Sequence, residues 1–470
     1  MRKSLYNLVY ELGDGEYLIM NGCTGAVDEV GPEIADLINP EEKDDFILTD
    51  RLSKIPPEYK QALIDRGYIT EKSLEEEVDG FKKVANAFKE IETKTMHITI
   101  MPTYNCNYRC PYCYELNLHS KGQGFMERVI HESDIQKIFE VIDSLHNQGQ
   151  KIQEINLYGG EPLLEENRDI IDIIVEKAQK RNLKVLAVTN GYDLDVFKKH
   201  IGPNGIVEFQ LTLDGKKETH NMRRKHRDKT DTYAQTIKAV DEILSKEAIC
   251  NLRSNIDHEN IHEIPHILKI IEGNGWDKNK NFRNYFKAVH GCYSTHESPL
   301  RDSDISKYLY ELRKSSHGKM QNDKADIRNL VKPEMTGVAS ELIGRFEYAL
   351  KTGDYAMFKS SYCGAVNGML VFDPYGDVYP CWDTVGKKNQ VIGRLTESGL
   401  NLNENYKNWQ TRQPQNIDKC SRCPYALYCG GGCPAHAEVT ENDINAPYCD
   451  AFKEVFDQVI PATYTAFKNR

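Results

Sequence analysis

Along this chain the alternation of apolar and polar positions changes character several times. Residues 5–12 and 16–21 read as short strand-like segments separated by a turn, and helical patterns follow around 32–37 and 57–64. Residues 72–94 are rich in Glu and Lys. Leu74, Val78, Phe81, Val84, Ala87 and Phe88 recur there at helical spacing and predict a connecting helix. From Met96 the pattern becomes an alternation of strands and helices. Strands are expected at 97–103, 154–158, 184–189, 207–213, 251–256 and 281–289, with amphipathic stretches such as 135–145 and 170–178 between them. Strands separated by helix-length segments form parallel sheets, because each crossover must return to the same end of the sheet. The expected fold is therefore α/β, with a partial (β/α)6 barrel over residues 94–299. A small α+β module (1–75) and a linker helix (76–93) precede it. A helical bridge (300–360) and a short, turn-rich, cysteine-dense segment (361–470) follow. Such a segment builds little apolar core, so clusters or metals are expected to hold it together.

Length and charge narrow the classes. The 470 residues exceed what one core needs and suggest about three domains. Charged residues make up 28% of the chain, and no apolar run approaches the ~20 residues of a spanning helix. The basic start, Met1-Arg2-Lys3, leads into a stretch broken by Tyr6, Asn7 and Glu11, unlike an export signal. The chain reads as cytoplasmic, with no membrane partner. A net charge of −11 argues against nucleic acid, whose phosphates need a basic face.

Thirteen cysteines change the picture further. Cytosolic thiols stay reduced, so metal binding explains them better than disulfides. Cys23, Cys250 and Cys292 stand alone and read as small buried apolar residues. The other ten fall into two groups.

The first group, Cys106-x3-Cys110-x2-Cys113, follows the first barrel strand. Three thiolates on one loop can grip three irons of a cubane cluster and leave the fourth open to another molecule. A zinc site short of one ligand is the plain alternative. The spacing, with Tyr112 before the last cysteine, resembles the signature of the radical S-adenosylmethionine (radical SAM) superfamily. Further residues agree. Gly159-Gly160-Glu161-Pro162 ends the second strand and is similar to the family's GGE motif, which implies that its backbone and Glu161 receive the methionine amino group. Thr189-Asn190-Gly191 resembles the polar segment facing the ribose. His220-Asn221-Met222-Arg223-Arg224 resembles the stretch whose arginine pairs with the methionine carboxylate, and Arg224 matches better by spacing. The resemblance implies that one electron from the cluster cleaves S-adenosylmethionine to a 5'-deoxyadenosyl radical, which takes a hydrogen atom from the substrate.

In the second group Cys363 is followed after twelve residues by Gly376, then by Cys381, then by Cys420-x2-Cys423-x5-Cys429-x3-Cys433 and Cys449. This seven-cysteine pattern resembles the SPASM extension of radical SAM enzymes. It implies two auxiliary 4Fe-4S clusters, and so three in all. By that analogy Cys420, Cys423, Cys429 and Cys449 hold the outer cluster, and Cys363, Cys381 and Cys433 the inner one. Seven thiolates are one short of two fully ligated cubanes. Cys292, a distant side chain or the substrate would complete the inner one. A zinc ribbon, as a binding module without enzymatic activity, is the alternative of another class.

SPASM enzymes mostly act on peptides, and the layout of residues 1–75 resembles the winged-helix-like module that binds leader peptides. Such a module adds the leader as an extra strand on a sheet edge. The resemblance implies a maturase of a ribosomally made precursor peptide, most simply one forming a thioether crosslink, supplied with electrons by a flavodoxin- or ferredoxin-type donor. The rival is an anaerobic sulfatase-maturing enzyme. In that family Asp directly follows the cysteine of the Gly-x4-Cys element, whereas here Cys381 is followed by Trp382 and then Asp383. Asp383 is the candidate general base.

Overall fold

A computed structural model describes residues 1–39, 52, 55–228, 230–289, 299–314, 332 and 335–470. Cys292 lies outside the described residues. The chain forms two compact units: Lys94–Gly337 with Gly368–Trp409, and Met1–Thr93 with Val338–Asn367 and Gln410–Arg470.

The first unit is built on a sheet whose parallel part runs, in spatial order, through His97–Ile100, Glu154–Leu157, Lys184–Val188, Ile206–Thr212, Ile249–Ile256 and Phe282–Ala288. Each strand pairs in parallel with the next in sequence, as crossover helices dictate. Glu132–Asn147 and Arg168–Gln179 are two of these helices; Ile135, Ile138, Phe139 and Ile142 on the first and Ile171 and Ile174 on the second are fully buried. The six expected strands and both helices are present, with ends shifted by a few residues. Sequence order and spatial order coincide and the sheet is not closed on itself, which gives the partial barrel.

One feature of the sheet departs from expectation. Met369–Phe372 joins the free side of His97–Ile100 in parallel, pairing Met369 with His97, and Asp377–Tyr379, Gly393–Thr396 and Gly399–Leu402 continue the sheet antiparallel. Residues 369–402 were expected to be short turns. Met369–Phe372 is instead a strand buried at all four positions, so it shows no alternation to read.

In the second unit, Asn7–Gly13, Glu16–Asn21 and Val27–Val30 form an antiparallel sheet in that order. The third strand was not anticipated; four residues are too few for a pattern. Helix Leu74–Glu92 starts at a reciprocal cap, in which the Ser73 hydroxyl accepts from Glu76 N–H and the Glu76 carboxylate accepts from Ser73 N–H. Its stripe of Val78, Phe81 and Ala85 enters a core that also holds Tyr6, Leu18, Phe346, Leu427 and Phe456. The C-terminal segment contributes more apolar core than its turn-rich sequence implied. Helix Phe452–Lys468 buries Val455, Phe456, Val459 and Ile460 on one face.

Candidate active site

The cysteine loop leaves the first barrel strand at its carboxyl end, and the groups that hold it come from the ends of neighbouring strands. Cys106, Cys110 and Cys113 are half-buried; the charges of Cys110 and Cys113 act on Cys106, and that of Cys110 on Cys113. The Tyr108 N–H points at the Cys106 sulfur at 3.3 Å, and Asn190 Nδ2 lies 3.9 Å from it. The loop is laced to residues 225–227: Arg109 N–H donates to the Lys225 carbonyl at 2.7 Å, and Arg227 N–H to that of Asn107 at 2.8 Å. Withdrawal from water pushes all three thiols up. The positive charge of irons converts such thiols into thiolate ligands, so the donor set fits a cluster.

The GGE segment runs beside this loop. Gly160 N–H donates to the Thr103 carbonyl at 3.2 Å and Glu161 N–H to that of Asn105 at 2.8 Å. A Cβ on Gly160 would stand 2.2 Å from the Asn105 carbonyl oxygen, and one on Gly159, at φ +115°, 2.7 Å from that of Thr103. Both glycines therefore admit the close approach of the cysteine loop's own backbone. Glu161 is buried and accepts from Leu163 N–H (2.9 Å), the Thr189 hydroxyl (2.6 Å) and Asn190 N–H (2.6 Å). Burial pushes its carboxyl up to about 7 against those donors. Three donors leave one lone pair of the carboxylate for a further partner. Asn190 in turn donates to Asn107 Oδ1 at 2.7 Å. Glu161, Thr189 and Asn190 thus join the second and third strand ends to the cysteine loop.

Tyr112 is fixed from the opposite side. Its hydroxyl donates to Asp214, which is fully buried and also accepts from Asn255 N–H at 2.8 Å. Arg223 and Arg224 differ sharply. Arg223 is committed to Asp257 at 2.8 Å and lies 3.7 Å from Asp214. Arg224 reaches Tyr112 Oη at 3.3 Å, and its Nε is buried without a hydrogen-bond partner. Nε of Arg223 is likewise unpartnered, but Arg223 already faces the carboxylates of Asp214, Asp257 and Glu259, whereas Arg224 has no carboxylate partner among the described residues. A buried guanidinium in that state suits a carboxylate, which singles out Arg224 and fits S-adenosylmethionine. From sequence, Asp214 stands only as part of Leu213-Asp214-Gly215 at the end of the fourth strand, with no role given, and Arg223 only as the poorer match beside Arg224. Only their position after the fourth strand hinted at a role.

Farther along the same unit, Tyr114, Tyr158 and Trp382 form an aromatic row with ring centres 5.7 and 5.5 Å apart. Buried Glu115 accepts from the Tyr114 hydroxyl at 3.0 Å, and desolvation pushes its carboxyl up to about 8. Asp383 lies within the electrostatic reach of Tyr158, Arg253 and Lys387, and desolvation pushes it up to about 6. Trp382 is 37% exposed.

In the second unit Cys420 feels the charges of Cys423, Cys429 and Cys449, and desolvation pushes its thiol up to about 12. These four thiols fit one cluster. Between Cys429 and Cys433 run Gly430, Gly431 and Gly432, all with positive φ. A Cβ on Gly432 would stand 1.6 Å from the Tyr448 carbonyl oxygen, and one on Gly430 2.2 Å from the carbonyl carbon of Ser361. The glycine run brings the backbones before Cys363 and Cys449 against Cys429 and Cys433. Arg412 is fully buried and donates to the carbonyls of Gly431 and Ala446 at 3.0 Å each. Sequence reading missed both features. Three consecutive glycines between metal-spaced cysteines were the available signal. Cys363 and Cys433 belong to this unit and Cys381 to the other.

Residues 100–271 match the model of the radical SAM superfamily, and residues 363–424 match that of the iron–sulfur cluster-binding SPASM domain. The cysteine-type anaerobic sulfatase-maturating enzyme of Clostridium perfringens is 25% identical over 393 residues, covering 77% of this chain and 96% of that protein. The antilisterial bacteriocin subtilosin biosynthesis protein AlbA of Bacillus subtilis is 22% identical over 349 residues, covering 72% of this chain and 66% of that protein. Among solved structures, anSMEcpe with bound AdoMet shares the fold, with a TM-score of 0.58 at 19% identity over 80% of this chain and 99% of that one.

Proposed function

Because this chain carries a radical SAM domain joined to a SPASM domain, we propose that it matures a ribosomally made precursor peptide by forming a thioether crosslink. When bound, S-adenosylmethionine and the 4Fe-4S clusters supply a 5'-deoxyadenosyl radical and sites that take up the electron released on bond closure. The protein does the rest. Arg224 pairs with the methionine carboxylate, and Glu161 offers its remaining lone pair to the amino group. Thr189 and Asn190 hold the strand end that faces the ribose. Asp383 takes the proton of the substrate thiol. One hydrogen atom leaves the carbon, one proton and one electron leave with the thiol, and a carbon–sulfur bond remains.

The observation that carries this reading is the small antiparallel sheet near the N-terminus. The sulfatase-maturating relative aligns over nearly all of its own length yet leaves about a quarter of this chain unmatched. Asn7–Gly13, Glu16–Asn21 and Val27–Val30 form a small sheet with Val27–Val30 at one edge, an element suited to receive a leader peptide as an added strand. The name of AlbA, a bacteriocin biosynthesis protein, supports a peptide substrate.

A second reading, formylglycine formation on a sulfatase, is favoured by the similarity to the Clostridium perfringens enzyme. The placement of Trp382 between Cys381 and Asp383 counts against it. The test is the mass of a cysteine-containing precursor peptide, sought in the reading frames beside this one, after incubation with the full protein, reductant and S-adenosylmethionine. Thioether formation removes two hydrogen atoms and keeps the sulfur. Loss of sulfur, or modification of a peptide whose cysteines are replaced, would overturn the reading.

A further inference from the structure

Arg412 is a charged side chain in a place where charge is costly. It has no exposed surface and is among the largest fully buried side chains of the described residues. Its hydrogen bonds go to backbone carbonyls: Nε donates to Ile444, and Nη2 donates to Gly431 and Ala446 at 3.0 Å each. Nη1 is buried without a partner. Apart from burial itself, the groups that act on the guanidinium most strongly are the thiols of Cys420, Cys433, Cys363 and Cys429. Carbonyls orient an arginine but do not neutralise it, and a buried cation left without an opposite charge is strongly destabilising. Its carbonyl partners are telling. Gly431 lies in the run joining Cys429 to Cys433, and Ala446 lies three residues before Cys449. The guanidinium is thus clamped by the segments that present the thiols, and Nη1 is left as its one unpartnered nitrogen.

We propose that Arg412 is a fixed counter-charge for the auxiliary iron–sulfur clusters, a positioning residue that donates Nη1–H to cluster sulfur and raises their reduction potentials. Adding an electron makes a thiolate-ligated cluster more negative, so a nearby fixed cation favours the reduced state. Two of the four thiols belong to each auxiliary set expected from the sequence, so one residue acts on both. The inference rests on that assignment of cysteines.

The experiment is an EPR-monitored redox titration of the full chain with reconstituted clusters, in a C106A/C110A/C113A background that leaves only auxiliary signals. R412Q and R412K are compared with this parent. The expected result is a shift of auxiliary potentials to more negative values in R412Q, with R412K near the parent. Loss of auxiliary iron in R412Q but not in R412K gives the same conclusion, since it shows that the charge is required. Unchanged potentials in R412Q, or equal behaviour of R412Q and R412K, including loss of iron from both, would overturn the proposal. Absence of auxiliary iron from the parent would overturn the cysteine assignment as well, and iron analysis detects that separately from the potentials.

Discussion

The two cysteine regions are held in place by different physical means. The first loop sits at the carboxyl end of a regular parallel sheet, and its supports arrive from successive strand ends: Glu161, Thr189 and Asn190 on one side, Asp214 and Arg224 on the other. The second region has no such scaffold around Cys420, Cys429, Cys433 and Cys449. Its segments are drawn together by glycines that let backbones approach and by one buried arginine. A sheet makes the position of a loop predictable from sequence order. Glycines and a buried charge make it depend on contacts between distant segments.

That contrast can be broken from either side. The largest effect is expected from C106A, which should reduce 5'-deoxyadenosine formation to background and remove about four irons per chain, read by chromatography and iron analysis. G432A should destabilise the second region by about 3 kcal/mol or more, since a Cβ there meets the Tyr448 carbonyl and the residue has φ +76°. The measurement is denaturant unfolding together with auxiliary iron content; an unaltered midpoint would contradict the packing described for the glycine run. In the first region, R224Q should weaken S-adenosylmethionine binding about ten- to a hundredfold by loss of a charged hydrogen bond. R223Q should lower stability more than affinity, because Arg223 is already committed to Asp257. Calorimetric binding to both variants separates the two roles.

A smaller effect concerns the strand beside the first loop. Asp373 accepts from the Tyr104 hydroxyl at 2.8 Å, and burial raises its carboxyl from 3.8 to about 6. A carboxyl raised in the folded state binds its proton more tightly than the unfolded chain does. Its contribution is therefore complete below about pH 4 and is lost as pH rises through 6. Between pH 5 and 7 the parent should lose about 1 kcal/mol relative to D373N, visible in anaerobic thermal melts. The smallest effect is expected at Gly80, inside helix Leu74–Glu92, where a Cβ meets nothing within 4 Å. G80A should stabilise the chain by about 0.5–1 kcal/mol.

The same contrast explains what was legible in the sequence. Six barrel strands and their helices could be read because length and periodicity are local properties, and Cys106, Cys110, Cys113, Glu161 and Arg224 could be placed together because they follow those strands at fixed positions. The strand Val27–Val30 is too short to show a pattern, and Met369–Phe372, buried at every position, has no polar face to reveal it. Arg412 reads as a solvated charge in any local window. Its burial depends on Gly431, Ile444 and Ala446, which only the folded chain brings to it. Likewise, nothing near Gly432 announces Tyr448.

The most direct test of the division between the regions is one reaction read in two ways. C433A and the parent chain are each reconstituted and given reductant, S-adenosylmethionine and a cysteine-containing precursor peptide that the parent modifies, and both 5'-deoxyadenosine and peptide mass are measured. The expected result is that C433A still forms 5'-deoxyadenosine while the peptide mass stays unchanged. A fully modified peptide, or loss of 5'-deoxyadenosine as complete as in C106A, would contradict it.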